Sequence, residues 1–429
     1  MFAKFCDNIE IKSRYTKLGI KSLLAWQNEA LSKIADNDES LIFSAPTSAG
    51  KTLVAELVIQ KAVLKRNEKC LFIVPMIATG EEKLAHFKNL FERLPQGVRV
   101  EGYLGARHSN GGLKTADIAV CTIEKANQLV NRLIKEDRLS ELGLVVVDEI
   151  HMLGDKSRGY ILELLLTKLH SYNKSLESRN DKTLNCTDLD FSQLLNDPDQ
   201  EKLLFPIQFL GMSATCPNAD KLAVWLGAKY YSTKVRPVKL KEQLFQEKTL
   251  QVFGTDKKQA CKIEKHSMHK DSKLGHTAAL ILQGLSLNEN GNILVFRENR
   301  SGCIGLAQHL ATALDESLTF DRELNSKIVP KLTNFPELQE VVKYGVAFHT
   351  ASLSGEEREL VEAGFKSGAI RVIVATSTLA SGVNLPARRV IIRYSRNIDK
   401  TKYHQMIGRA GRYGLDENGE SFLLLEGRQ

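Results

Sequence analysis

The sequence predicts an α/β protein of two lobes, each built on a doubly wound parallel sheet. Three observations predict it. The 429 residues exceed one ordinary domain and suit two. Short, continuous apolar runs alternate with helical patterns, as buried parallel strands do. That alternation then stops and starts again in the second half of the chain.

In the first half the apolar runs fall at 41–43, 70–74, 118–121, 144–147 and 208–212, each followed by a turn and a helical segment. In the second half they fall at 293–296, 346–349, 372–375, 390–393 and 422–425, with helices between them such as 355–366. Pro237 interrupts the pattern at 235–240, so the lobes are drawn as 1–235 and 236–429. Three polar stretches, 171–202, 241–273 and 315–340, break the rhythm. They are read as surface insertions, because segments this polar bury too little apolar area to order themselves.

Composition narrows the class. The chain is 43% hydrophobic and 26% charged with 10 prolines, which suits a globular protein rather than a disordered or fibrous one. Lysine and arginine number 59 against 51 acids, and the net charge of +8 favours a polyanionic partner only mildly at this length. The 7 cysteines stand singly, without a Cys-x-x-Cys pair, so neither a disulfide framework nor a zinc ribbon is indicated. Residues 1–15 lack the apolar run of a secretory signal, and no segment approaches the roughly 20 apolar residues of a membrane span. A soluble protein of a reducing, intracellular compartment is expected.

The chemistry concentrates at strand ends. Ala45, Pro46, Thr47, Ser48, Ala49, Gly50, Lys51 and Thr52 follow the run at 41–43 and open a helix expected over 52–64. In that context backbone N–H groups cradle phosphates, Lys51 pairs with the β and γ phosphates, and Thr52 holds Mg2+. Ala45 stands where the usual pattern has glycine. The run at 144–147 leads directly into Asp148, Glu149, Ile150 and His151. There Asp148 is placed to bind the metal and Glu149 to polarise the attacking water, which implies hydrolysis of ATP and not only its binding. His151 is expected to bond toward the second lobe and report nucleotide state, while His266 and His269 read as a solvated face.

Ser213, Ala214 and Thr215 follow the run at 208–212, where the two hydroxyls suit a switch that senses phosphate. In the stretch 405–412, QMIGRAGR, two arginines on successive helical turns can reach a neighbouring lobe. Arg409 and Arg412 are therefore assigned as arginine fingers that stabilise charge on the transferred phosphoryl.

Taken together, these segments resemble superfamily 2 helicases, specifically the Ski-like branch in its polymerase-theta and HELQ group. The most specific pieces are 117–127 (DIAVCTIEKAN), 145–155 (VVVDEIHMLGD), 375–389 (ATSTLASGVNLPARR) and 405–412. The resemblance implies two RecA-like lobes with an ATP cleft between them. It implies that Gln27 recognises adenine, that Gly382, Asn384 and Gln405 complete the nucleotide pocket, and that Pro75, Thr122, Thr376, Ser377 and Thr378 hold a strand backbone. It further implies 3′ to 5′ translocation on single-stranded or partly duplex DNA, a nuclear role in break or crosslink repair, and repair-protein partners at the insertions. Ile150 in the acidic box also occurs in RNA-acting relatives and leaves RNA open, whereas the flanking segments favour DNA. The stretch 295–300 (VFRENR) departs from the family's Phe-Cys-Pro-Ser-Lys. The chain also stops where relatives continue into winged-helix and ratchet domains, so ATPase activity is a firmer expectation than processive unwinding.

Overall fold

In this computed structural model the described residues are 5–6, 8–17, 19–34, 37–47, 49–105, 112–184, 205–214, 218–246, 249–253, 260–261, 275–286, 291–314, 318–376, 379, 385–394, 398–412 and 416–425. The chain divides into two compact units, one of Met1–Pro46 with Gly50–Val235 and one of Thr47–Ala49 with Arg236–Gln429.

The first unit holds β1 (Leu41–Ser44), β2 (Lys69–Val74), β3 (Val100–Tyr103), β4 (Ile118–Thr122), β5 (Leu142–Asp148), β6 (Gln208–Ser213) and β7 (Lys229–Ser232). They form one seven-stranded sheet in the order β3-β4-β2-β5-β6-β1-β7. Every pairing in it is parallel. Its inner strands are apolar on both faces because helices cover both sides. Leu71, Ile73, Val145 and Val147, for example, are buried against residues of the helices Ile123–Lys135 and Gly159–Leu184.

The second unit holds β8 (Lys239–Gln246), β9 (Thr249–Phe253), β10 (Ala260–Cys261), β11 (Ile293–Phe296), β12 (Val346–His349), β13 (Val372–Ala375), β14 (Arg389–Tyr394) and β15 (Asn418–Leu425). The eight strands run in the order β10-β9-β8-β15-β14-β11-β13-β12. From β8 to β12 the pairing is parallel, but β9 pairs antiparallel with both β8 and β10, so this sheet is mixed at one edge. Its core packs β11 to β14 against the helices Arg300–Leu314, Pro336–Val342 and Gly355–Ser367.

The polar stretches are more ordered than their composition suggested. The helix Gly159–Leu184 runs through 171–184, with Leu176 buried and the Asn173 side chain bonded both ways to the Ile207 backbone at 2.8 and 2.9 Å. The remainder, 185–202, lies outside the described residues. In 241–273, β8 and β9 are sheet strands, since backbone pairing with β15 needs no apolar side chains on the open face. In 315–340, Leu318, Leu332 and Leu338 are buried in the core, and Asn325 donates to the carbonyls of Val342 and Ala369 at 2.7 and 2.9 Å. A few well-spaced leucines suffice to dock a polar segment.

Candidate active site

Parallel register brings the C-terminal ends of the first sheet's strands to one edge, where ligands of open α/β sheets bind. Ser44 lies opposite Ser213, Val74 opposite Thr122, Ile73 opposite Val147, and Asp148 opposite Met212. The phosphate loop, Pro75, Thr122, the acidic box and Ser213 thus share one edge.

After β1 the chain turns through the loop into the helix Lys51–Gln60, which continues as a π-helical turn over Lys61–Lys65. The turn needs Gly50, whose φ of 85° is left-handed. A Cβ there would also sit 2.7 Å from the Gln27 amide nitrogen. Gln27 is 2% exposed, accepts from the Leu24 N–H at 2.9 Å and donates to the Gly50 carbonyl at 3.0 Å. It therefore braces the phosphate loop. Lys51 Nζ donates to the carbonyls of Ala45 and Pro46 at 3.1 and 3.2 Å, folded over its own loop. Phosphate oxygens aimed at Lys51 would take the place of those carbonyls.

Asp148 ends β5 and Glu149 follows in the left-handed region at φ 53°, an uncommon conformation for a residue with a side chain. Burial first, and the Glu149 charge second, push the Asp148 carboxyl up to about 6, against the opposing pull of Lys83 and Lys51. Glu149 Oε2 lies 3.1 Å from His151 Nδ1, and that nitrogen lies 2.9 Å from Ser213 Oγ. The Ser213 carbonyl accepts from the Ala45 N–H at 3.0 Å. Ser44 Oγ reaches the Ala214 carbonyl at 3.5 Å. A polar chain thus joins acidic box, β6 and phosphate loop inside one unit. His151, expected to bond toward the second lobe, has these partners in the first unit, because the short 3-10 helix Ile150–Gly154 turns its ring back over β6.

Oxygen donors are what Mg2+ takes, usually from one or two protein groups with the rest supplied by phosphate and water. Thr52 and Asp148 could supply such a pair, and the half-buried Asp148 carboxylate suits a cation as counter-charge. Among the described residues no cluster of three or more His, Cys, Asp or Glu could hold a metal by itself.

Pro75 and Thr122 end neighbouring strands, and Thr122 is the residue from which the helix Ile123–Lys135 starts. In the second unit Thr376 follows β13, is largely buried and bonds through its N–H to the His349 carbonyl at 3.4 Å. Gln405 lies in the helix Lys400–Ile407. That helix stops before Arg409 and Arg412, so the two arginines do not stand on successive helical turns. Past Ile407 the chain leaves the helix and Ala410 pairs with Ala387, with Gly411 left-handed at φ 87° just beyond. Arg412 makes a forked pair with the fully buried Asp416 carboxylate, 2.9 Å to each oxygen. Ser48, Thr215, Ser377, Thr378, Gly382 and Asn384 lie outside the described residues, as do His266 and His269.

Three residues at these sites escaped the sequence reading. Lys83, on the helix Ile77–Phe87, donates to Thr52 Oγ1 at 3.0 Å. Arg158 donates to the Pro75 carbonyl at 2.6 Å and lies 3.8 Å from Glu124, bracing two strand-end segments together. Arg236 donates to the carbonyls of Ile407, Gly408 and Ala410 and so closes the end of the helix that leads to Arg409. No single-residue pattern marks them, because the tip of a long flexible side chain sits far from its place in the sequence.

The loop, acidic box and sheet edge define a class, the phosphate-loop α/β proteins. Within that class the chain belongs to the helicases: the DEAD/DEAH box helicase family matches residues 25–222, and the helicase conserved C-terminal domain matches 272–414. It is 38% identical over 96% of its length to DNA polymerase theta of Mus musculus. It is 33% identical over 95% to the Helicase POLQ-like protein of Homo sapiens. It is 32% identical over 95% to the ATP-dependent DNA helicase Hel308 of Methanococcus vannielii. The chain spans 16%, 36% and 52% of these relatives' own lengths. The helicase resemblance drawn from the motifs therefore holds, and the family implies use of ATP.

Proposed function

We propose that the chain is the motor core of an ATP-driven helicase that moves 3′ to 5′ along single-stranded DNA and serves DNA repair in the nucleus. The observation that carries the reading is the polar chain from Glu149 through His151 and Ser213 to the phosphate loop. It ties the group suited to orient the attacking water to the loop suited to hold phosphates. The names of the relatives, DNA polymerase theta and ATP-dependent DNA helicase Hel308, direct the substrate toward DNA.

In this reading Lys51 leaves the Ala45 and Pro46 carbonyls to pair with phosphate oxygens. Thr52 and Asp148 hold Mg2+, which neutralises charge building on the transferred phosphoryl group. Glu149 orients the attacking water, and His151 with Ser213 fixes that carboxylate. Arg409 supplies positive charge to the same phosphoryl group, with Gln27, Gly382, Asn384 and Gln405 completing the nucleotide site. Arg412 acts beside Arg409, held in place by Asp416. Pro75, Thr122, Thr376, Ser377 and Thr378 grip the strand backbone, so the grip is independent of sequence and sensitive to salt. Repair proteins are proposed partners.

The test is steady-state ATP hydrolysis alone, with single-stranded DNA and with RNA of matched length. Stimulation selective for DNA is expected. Equal stimulation by RNA, or none by either, refutes the DNA-motor reading.

A further inference from the structure

Lys83 lies where the proposed metal pair and the strand-holding edge come close together. The helix that carries it, Ile77–Phe87, begins two positions after Pro75. It lies tightly on the end of the sheet: a Cβ on Gly80 would fall 2.4 Å from Leu104 and 3.2 Å from Val74. One turn further on, Lys83 Nζ donates to Thr52 Oγ1 at 3.0 Å, and its charge also acts on Asp148. A half-buried ammonium thus serves both groups that would hold the metal. An ammonium offers donors only. On Thr52 it takes up one lone pair of the oxygen that a divalent cation needs, and the two positive charges repel there.

We propose that Lys83 is the resident counter-charge of the Thr52 and Asp148 pair, displaced from Thr52 when Mg2+ and nucleotide bind, and that its displacement carries the nucleotide state along the helix Ile77–Phe87 to Pro75. The inference rests on the Mg2+ and ATP reading of this site. Lys83 is a positioning residue. It stands in for the metal between turnovers, and its release leaves the helix free to shift against β2 when the site fills.

The experiment follows binding of a fluorescent, non-hydrolysable ATP analogue to the full chain as Mg2+ is raised, with and without single-stranded DNA. Lys83→Met removes the competing charge and keeps the length of the side chain. The half-saturating Mg2+ concentration is expected to fall about tenfold, a modest share of the interaction between charges a few ångströms apart. DNA should shift the Mg2+ midpoint of the unaltered chain and leave that of Lys83→Met where it is. Lys83→Arg should titrate like the unaltered chain, and so should Lys88→Gln, which removes a neighbouring exposed charge. Thermal melting reports whether each variant is folded, and Lys83→Gln replaces Lys83→Met if the latter melts early. An unchanged Mg2+ midpoint overturns the inference. So does weaker binding of the analogue at saturating Mg2+, which would make Lys83 a phosphate ligand. If the unaltered chain shows no Mg2+-dependent binding at all, the ATP reading itself fails.

Discussion

Replacing Arg236 tests how the second unit presents Arg409. The guanidinium donates to the Gly408 carbonyl at 3.1 Å and to that of Ala410, with two longer contacts of 3.4 and 3.5 Å to Ile407. The Ile407 carbonyl ends the helix Lys400–Ile407 and those of Gly408 and Ala410 lie just past it, where carbonyls need donors from outside the helix. A hydrogen bond from a charged donor contributes about 1.5–3 kcal/mol, and those to Gly408 and Ala410 are the closer two. Burial pulls the Arg236 pKa down, a sign that part of this gain is offset by desolvation. Arg236→Ala should therefore cost the second unit about 3 kcal/mol. For a domain of this size that lowers its melting temperature by about 6–12 °C. Arg236→Lys keeps the charge and loses the fork, so about half the loss should remain. The assay is differential scanning calorimetry, paired with ATP turnover well below the transition. There the loosened turn around Arg409 should lower kcat about 10- to 100-fold. A melting shift below about 2 °C for Arg236→Ala would refute the clamp.

Other outcomes follow from the same geometry. Glu149→Gln should keep nucleotide binding and abolish turnover, and normal phosphate release in that variant would remove Glu149 from its assigned role. Arg409→Ala should lower kcat, and normal turnover in that variant would remove Arg409 from its assigned role. Arg412→Ala should lower kcat and also the melting temperature, since it takes the guanidinium from the buried Asp416 carboxylate at a cost of about 3–5 kcal/mol; an unchanged melting temperature would contradict this. The His86 pKa is raised from its ordinary value, chiefly by the hydrogen bond to Glu56 at 2.8 Å. A raised folded-state value means the stabilisation is complete below the unfolded pKa of about 6.5 and is lost as pH rises through the higher folded value. Chemical denaturation from pH 6 to 9 should show that decline in the unaltered chain, and His86→Gln should flatten it.

The buried strands were legible because a strand covered on both faces must be apolar throughout. The runs at 293–296, 346–349 and 372–375 coincide with β11, β12 and β13. Strands at sheet edges were not legible, since one open face admits Lys, Glu and Tyr. β3 and β7, the two edges of the first sheet, were missed for that reason, whereas β8 lies inside its sheet between β15 and β9 and was missed because Lys, Glu and Gln break its apolar run, although its Leu240 packs on the core. The helix end before Arg409 was missed because the pairing of Ala410 with Ala387, which follows it, joins residues far apart in the sequence. Site residues held by backbone position, such as Gly50, Lys51, Thr52, Asp148 and Glu149, could be read from residue type and spacing. Lys83, Arg158 and Arg236 could not, for what matters in them is which distant carbonyl or hydroxyl the side chain reaches.

Glu149 holds its carboxylate beside His151 only by adopting a backbone conformation that costs a residue with a Cβ about 1 kcal/mol. Glycine would sit there without strain, and asparagine with little. Selection for heat resistance alone would therefore drift toward variants at 149 that fold better and no longer turn over ATP. On the role proposed for Glu149 the strain is kept for the sake of turnover, and any effort to harden the protein must hold this residue fixed and seek its gains elsewhere.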